Sequence, residues 1–548
     1  MNRFLETVRH LSARQIATRA VRMAERQWWR VANAKAPVVA AAPPIAPHQP
    51  LWRDLAPSDR GREIAQGRFT FLRETRVRPK WDAPDVPQLW RYHLHQFDYA
   101  RELEPHVFRE LAKSWIAANR RLGGDGWHPY TVSLRIVNWC EALLAFGDDE
   151  EIRASIYAQA DFLARHLERD VRGNHLLENA RALVRAGVFF DHAAWRDLGI
   201  RILREEVPEQ VLADGGHFER TPGYHVRMMN VLEDVATYVH EPWLTTAVAN
   251  MRAFLAAITP PDGRLPLIKD TTLDPGTAGS PPVGRVRRPE SPSLQLAQSG
   301  FFVTRNDERG DFLIADFGRV CPDYLPAHAH ADMFSYELTI GRKPIIVDSG
   351  VFEYAEGEWR NWFRSTAAHN TVEIDGRDQS EMWGSFRVGR RARPRDVVWT
   401  DTPQLTAIAG EHDRYAPVIH HRTIITLHRE RIWVIVDRIE GPPAHVARSF
   451  IHLHPDATPP NIAPFGAMLS EGEGWYSERF GEKRRNRVLV LETKSPALFG
   501  YVISADEPVT VHLSGSTLAI SFASVSLALS LEDKKAPRAV ARGALEMQ

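Results

Sequence analysis

The sequence predicts two structural classes in series, α-helical first and all-β second, on three observations. From about Leu89 to Ile258, apolar residues recur at the three- and four-residue spacing of amphipathic helices. From Phe301 onward the period switches to two, in short β-branched or aromatic runs bounded by turn residues. Between them, Pro260 to Pro289 is rich in Pro, Gly and Asp and poor in apolar side chains, the composition of an interdomain crossover. A chain of 548 residues is also too long for one hydrophobic core. The expected domains are an arm at 1–50, a helical domain at 51–285 and a β-domain at 286–548.

Taken in order, Met1 to Arg30 sets Leu5, Val8, Leu11 and Ile16 among many Arg residues, with Trp28 and Trp29 near the end. This predicts one basic amphipathic helix, without the continuous apolar stretch and small-residue cleavage site of a secretory signal. Packing on its own domain is the plain expectation; an anionic membrane or a partner is the alternative. Ala34 to Pro50, rich in Ala and Pro, reads as a linker or extended arm. Helices are predicted over Arg101 to Leu122, Val132 to Phe146, Glu150 to Arg169, Leu176 to Ala186, His192 to Glu206, His225 to Tyr238 and Pro242 to Ile258. Serial helices with short loops pack as antiparallel hairpins into a bundle, a solenoid or a double-layered toroid, which periodicity alone does not separate. Strands are predicted over Phe301 to Thr304, Phe312 to Asp316, Ser335 to Ile340, Thr371 to Ile374, Leu405 to Ala409, Thr423 to Leu427, Ile432 to Val436, Val488 to Leu491, Val509 to Leu513 and Ala523 to Leu529. Many short strands at this spacing form an antiparallel sandwich or barrel.

Composition excludes some functions. Lys plus Arg number 69 and Asp plus Glu 69, so no global basic field addresses nucleic acid, although local Arg clusters remain able to meet an acidic ligand. No run of about eighteen apolar residues is present to cross a membrane as a helix. Cys140 and Cys321 are far apart and match no metal or disulfide spacing.

Ala327 to Asp375 carries the densest chemistry. His328 and His330, two apart, point to one side of an extended segment. Asp348 ends the apolar run Lys343 to Val347, and His369 precedes the run Thr371 to Ile374. If these runs are neighbouring antiparallel strands, His330, Asp348 and His369 converge, and two imidazoles with a carboxylate suit a divalent ion such as zinc. A hydrogen-bonded polar cluster at strand ends is the alternative. Three further groups lie in the helical half. Trp127, His128, Tyr130 and Arg135 stand at a helix entry, suited to sugar faces and hydroxyls or equally to a cap with a buried Trp. Gly173-Asn174-His175 opens another helix, where amides meet an anion or Asn174 simply caps. Tyr224 sits at the loop end before a third helix, facing a cleft or packed as an ordinary ring.

Five motifs in order, N-H-L-L-E-N at 174–179, R-T-P-G-Y-H at 220–225, H-A-H-A-D at 328–332, V-D-S-G at 347–350 and A-H-N-T-V at 368–372, make about residues 90–540 similar to the heparinase II/III family of polysaccharide lyases, which includes alginate and oligoalginate lyases. The resemblance implies an incomplete (α/α) toroid followed by an antiparallel β-sandwich, and eliminative cleavage of an acidic, uronic acid-containing polysaccharide or oligosaccharide. Elimination removes the C5 proton, which is not acidic while the adjacent carboxylate keeps its full charge. By resemblance, Asn174 and His175 hydrogen-bond that carboxylate and stabilise the enolate-like intermediate. Tyr224 and His328 match the family's base and acid, their assignment depending on the C5 epimer. A free Tyr has a pKa of roughly 10, so a Tyr base needs positive charge nearby. Tyr354 falls where some members carry a second catalytic Tyr. The metal at His330, Asp348 and His369 is structural by the same resemblance, holding the loop that delivers His328. Trp359 and Arg364 suit a sugar-binding wall, and Glu178 either orients His175 or is a plain first-turn carboxylate. A periplasmic location follows from the resemblance, a cytoplasmic one from the missing cleavable signal.

Rival readings differ in what they require. A metal-dependent hydrolase on a (β/α) barrel needs alternating β and α units after the His-x-His pair, where only strands follow. A glycoside hydrolase needs two carboxylates facing across the bond, which neither the Asn174 nor the Tyr224 motif supplies. A non-catalytic glycan-binding or exopolysaccharide-assembly protein of the same fold remains the alternative, against which stand Asn174, His175, Tyr224 and His328 together.

Overall fold

The computed structural model describes residues 3–52, 57–274, 291–522, 525–533 and 538–544. The chain forms two compact units interleaved in sequence: Leu11–Gln210 with Met228–Val248, and Met1–His10 with Val211–Arg227 and Ala249–Gln548. Much of the expected crossover, 275–290, lies outside the described residues.

The first unit is helical. Its helices include Ala13–Val31, Gln88–Gln96, Pro105–Ala118, Pro129–Phe146, Glu150–Arg165, Gly173–Phe189 and Ala193–Gln210, with Pro222–Ala236 and Pro242–Ile258 contributing residues to both units. Local chemistry sets the ends. Pro105 and Pro129 occupy first-turn positions, where a missing N–H costs nothing, and Asp149 accepts a hydrogen bond from Ile152 N. The helices Gly173–Phe189 and Ala193–Gln210 pack closely because Gly199 has no side chain: a Cβ there would stand 2.6 Å from Ala180 O. Trp90, Trp115 and Trp139 fill the core. The Ala- and Pro-rich arm lies extended on the helices, with Ala46 N donating to Phe189 O at 2.9 Å and Glu141 accepting from Leu51 N and Trp52 N at 2.7 and 3.1 Å.

Three expectations shift here. The single helix expected over the first thirty residues is two, Arg3–Val8 and Ala13–Val31, because Ser12 and Gln15 form a reciprocal capping box that starts a new helix. Arg101 to Leu122 shortens to Pro105–Ala118 behind a separate 3₁₀ turn, Asp98–Glu102. A small hairpin, Arg68–Phe71 with Glu74–Val77, was not foreseen.

The second unit is β-rich, and every strand pairing described is antiparallel. One sheet runs in the order Ser293–Leu296, Phe301–Asn306, Asp311–Asp316, Tyr336–Ile340, Lys343–Ile346. A six-stranded sheet is centred on Ile419–Leu427 and Ile432–Glu440. Alternate residues of that sheet enter opposite cores: Ile424, Ile435 and Tyr501 one, Ile425, Val434 and Val502 the other. With both faces covered, these strands read as nearly continuous apolar runs. The first core joins this sheet to the five-stranded one through Phe302, Leu313 and Leu338, giving a β-sandwich; the second packs it on the C-terminal sheet through Leu518, Ile520 and Leu529. Several strands were not foreseen, among them Arg395–Asp401, Val446–His452, Ala497–Ser504 and Met468–Tyr476, the last reading M-L-S-E-G-E-G-W-Y, an exposed edge with few apolar residues.

The chemistry-bearing segment spans this framework. His328 and His330 lie in the connection between Asp311–Asp316 and Tyr336–Ile340, and Asp348 follows Lys343–Ile346. The third run expected beside them, Val372–Ile374, pairs instead with Val446–His452 in another sheet. Asn370 spans the gap, donating from Nδ2 to Tyr336 O and Val347 O at 2.9 Å each.

Candidate active site

In the β-unit the side chains converge on Asp270. Its carboxylate accepts from His328 Nδ1 at 3.0 Å, from His330 Nε2 at 2.9 Å and from both terminal nitrogens of Arg360, the Nη2–Oδ2 bond being 2.8 Å. Burial works against this charge, but the Arg360 guanidinium and the two imidazole hydrogen bonds hold the carboxyl well below the usual carboxylate range. His328 lies flat against Tyr224, ring centroids 3.6 Å apart and planes at 25°. The Tyr224 hydroxyl is 3.4 Å from that of Tyr354. Tyr224 is in the first turn of Pro222–Ala236, where Thr271 Oγ1 accepts from Gly223 N at 3.1 Å. Asp270 and Thr271 thus align the His328 and Tyr224 segments through adjacent residues. Tyr354 stands between Arg360, 4.9 Å over its ring, and Phe386 and Phe480. Burial, then Tyr224 and Asp270, push its hydroxyl well above the usual tyrosine value, which makes it a proton holder and a poor base.

On the other side of the His328 ring, Nε2 lies 3.5 Å from Glu219 Oε2. The Glu219 carboxyl is buried, and neither oxygen has a hydrogen-bond partner among the described residues. Burial and then the Asp270 charge push it up to about 8, so it is mostly protonated at neutral pH.

The expected metal set is only partly assembled. His369 Nδ1 donates to Asp348 Oδ2 at 2.8 Å, Asp348 Oδ1 accepts from Gly350 N at 3.0 Å, and the His330 and His369 rings stand 5.2 Å apart. Among the described residues no three His, Cys, Asp or Glu side chains are arranged as a group able to hold a metal, and Asp348 is engaged with His369 and the Gly350 amide. His330 Nδ1 and His369 Nε2 are nevertheless buried without a hydrogen-bond partner among those residues.

In the helical unit the centre is Glu168. His175, in the first turn of Gly173–Phe189 and a quarter exposed, donates from Nδ1 to Glu168 Oε1 at 2.9 Å and stacks on Tyr130 at 4.1 Å. Asn179 clamps Glu168, donating from Nδ2 to Oε2 at 3.1 Å and accepting from Glu168 N at 2.8 Å. Burial would raise the Glu168 carboxyl, but His175, His128 and Asn179 bring it down to about 2. Asn174, beside His175, is buried, yet no described residue hydrogen-bonds its side-chain amide. His128 is 3.2 Å from Arg26 Nη2, and burial, with Arg26 and His175 adding, lowers it to about 4.

Several expected sugar contacts are scaffold instead. Trp127 is buried against Trp115 and Phe162 with Nε1 donating to Asn119 O at 2.8 Å. Arg135 is fully buried, donating to Gln159, His95 O and Gly126 O and lying 3.7 Å over the Trp115 ring. Arg364 donates to three carbonyls, Ala329, Gly384 and Arg387, and burial lowers it to about 9. Glu178 pairs with Arg181 at 3.2 Å, and the carboxylate on His175 is Glu168. Trp359 is half-buried against Trp475, with Lys483 Nζ 4.0 Å over its ring. Sequence reasoning missed Glu168 and Asp270 because each is a lone carboxylate in a loop, recognisable only by what folds against it.

A family model described as Heparinase II/III N-terminus matches residues 96–273, and one described as Heparinase II/III-like, C-terminal matches residues 288–514. The chain belongs to the heparinase II/III family. Among curated relatives, a heparin-sulfate lyase of Bacteroides stercoris is 28% identical over 428 residues, 67% of this chain and 60% of that protein. A heparin-sulfate lyase of Pedobacter heparinus is 24% identical over 420 residues, 66% and 61%. The chain thus spans about three fifths of the length of these relatives. A crystal structure of heparinase III superposes with a TM-score of 0.71 at 16% identity, covering 95% of both chains, and shows that the fold is shared. For this heparinase II/III family member, the helical portion followed by an antiparallel sandwich is therefore the family fold.

Two outcomes follow from the carboxylates. Asp270→Asn leaves Arg360 buried without its counter-charge and is expected to cost about 3–5 kcal/mol, read as a lowered Tm. Glu219, raised from 4.5 to about 8, contributes stability that is complete below about pH 4.5 and is lost as pH rises through 8. The Tm of Glu219→Gln is therefore expected to decline less than that of the parent between pH 5 and about 9, and parallel curves would remove the buried acid from this account.

Proposed function

We propose that this chain is a polysaccharide lyase that cleaves a uronic acid-containing glycan by β-elimination. The observation that carries the reading is the Tyr224–His328 stack, a phenol and an imidazole 3.6 Å apart and backed by Asp270. Curated relatives named heparin-sulfate lyases support an acidic glycosaminoglycan as the substrate class.

The chemistry needs three functions. The uronate carboxylate must lose effective charge, and an imidazole on a carboxylate beside the Asn174 amide, which no described residue engages, suits that task in His175. Glu168 holds the Nδ1 proton of His175, leaving Nε2 for the substrate. A base then takes the C5 proton, the C–H electron pair forms the C4–C5 double bond, and the C4–O bond breaks as an acid protonates the leaving oxygen. Tyr224 and His328 fill these two roles. Asp270 fixes the His328 tautomer with its proton on Nδ1, so Nε2 is the nitrogen that exchanges protons. Tyr354, with its raised hydroxyl, hydrogen-bonds Tyr224 and supports whichever form it takes.

A divalent metal belongs to the proposal. Two buried imidazole nitrogens without hydrogen-bond partners among the described residues, on His330 and His369, are of the kind that ligates such an ion, and Asp348 stands against His369 Nδ1 as an orienting carboxylate. When bound there, the ion would brace the segment that carries His328. Asp270 and the His369–Asp348 bond position that segment from the protein's own residues.

The deciding experiment is ultraviolet absorbance of the unsaturated uronate during incubation with a panel of uronic acid polymers, heparan-type, chondroitin-type, alginate-type and bacterial exopolysaccharide. A rise with one polymer is expected, and in it Tyr224→Phe and His328→Ala should each lose about 10²–10⁴-fold in kcat, with an unchanged Tm in Tyr224→Phe and a lowered one in His328→Ala, which takes a hydrogen-bond partner from buried Asp270. Asn174→Ala should lose about 10²–10³-fold. Near-parental rates in the first two would refute the assignment, and glycan binding without any rise would favour a binding protein. For the metal, purified protein is expected to carry one divalent ion per chain by elemental analysis and to melt lower after chelation; His369→Ala should remove both effects.

A further inference from the structure

The helix Ala13–Val31 is amphipathic in sequence, yet it packs with its polar side inward. Gln15 and Trp29 are its buried residues. Arg22 Nη2 donates to Leu167 O at 3.1 Å, Glu25 Oε1 lies 3.1 Å from His166 Nε2, Arg26 Nη2 is 3.2 Å from His128 Nε2, and the Trp29 ring packs on Phe162 and His166. The apolar side is left outside: Ile16, Val21, Met23, Trp28 and Val31 are 44%, 65%, 67%, 63% and 77% exposed.

These five do not scatter. At about 100° per residue they fall within an arc of about 160°, with the exposed Ala13, Ala17, Ala20 and Ala24 between them and Gln27 as the one polar residue inside it. Single exposed apolar side chains are ordinary, but a continuous strip along a helix about 28 Å long marks an interaction surface. Charge selects its partner. Arg14 and Arg30, both exposed, flank the arc on its two edges. The helix holds five Arg and one acidic residue, Glu25, which is paired with Arg22 and His166 on the inward side.

We infer that this helix is a peripheral lipid-binding surface, lying in the interface of an anionic bilayer with its apolar strip among the acyl chains and Arg14 and Arg30 on the headgroups. A Trp in the strip suits the boundary between acyl chains and headgroups, and an apolar face rimmed by Arg is the composition of helices that lie in that plane. No helix among the described residues is long and apolar enough to cross a membrane, so attachment through this face is superficial and reversible. A second copy fits less well, since pairing the strips would bring the flanking Arg residues of two helices together without acidic partners.

The test is flotation of the full chain with vesicles of equimolar phosphatidylcholine and phosphatidylglycerol, beside vesicles of phosphatidylcholine alone. The parent is expected to float with the anionic vesicles only, and less at high salt. Val21→Glu and Trp28→Ser should each reduce the bound fraction about tenfold, and the double variant Arg14→Glu, Arg30→Glu should abolish the anionic preference. All four side chains are exposed, so thermal melts of the variants should match the parent and separate lost binding from lost folding. Absence of flotation, equal flotation on both vesicle types, or unchanged binding by the variants would each overturn the inference. So would a dimer in sedimentation velocity that Val21→Glu dissociates while the parent fails to float.

Discussion

A buried carboxylate held by a guanidinium and two imidazoles sits at the centre of the β-unit. Removing a charge from water costs several kcal/mol, so Asp270 is stable in the interior only because Arg360 binds it through two nitrogens and His328 and His330 complete its hydrogen bonds. The arrangement is therefore all or nothing. One carboxylate orders a proposed proton-transfer residue, an expected metal ligand and the arginine that lies over Tyr354. Neighbouring Lys269 extends this buried ionic region through Asp316 and Asp332.

The helical unit repeats the same chemical device. Glu168 stands behind His175 as Asp270 stands behind His328, each accepting the Nδ1 proton at about hydrogen-bond length, 2.9 and 3.0 Å. A carboxylate in that position selects the tautomer and leaves Nε2 for chemistry. Surroundings then separate the roles. His175 keeps an exposed edge next to the Asn174 amide, which no described residue engages, and this suits an anionic ligand. His328 is closed in by Tyr224 and the protonated Glu219, which suits proton exchange.

The sandwich explains why so little sequence identity is needed for this fold. Its middle sheet has two buried faces, so any run of suitably sized apolar residues in Ile419–Leu427, Ile432–Glu440 and Ala497–Ser504 satisfies both cores. A heparinase III shares the fold at 16% identity. What cannot drift so freely is the set of polar side chains suspended between strands, such as Asn370, which donates to Tyr336 O and Val347 O at one sheet and accepts from His452 N in another.

Periodicity and punctuation in the sequence determined the helix-then-strand order, the positions of the longer helices and of part of the strands, and the histidine, tyrosine and asparagine motifs, because those signals are local: a 3.6 or 2.0 residue period and a turn at each end. Tertiary structure alone decided which polar residues face one another. Trp127, Arg135 and Arg364 have the right chemistry for sugar contact, yet the packing around them takes their donors and encloses their faces. Asp270 and Glu168 carry no local signature, since a lone carboxylate in a loop gains its meaning from partners 7 to 90 residues away. The N-terminal helix makes the same point in reverse. Its amphipathic pattern was legible, but the direction in which it packs depended on whether Leu167, His166 and His128 would bind its arginines and glutamate, and they do.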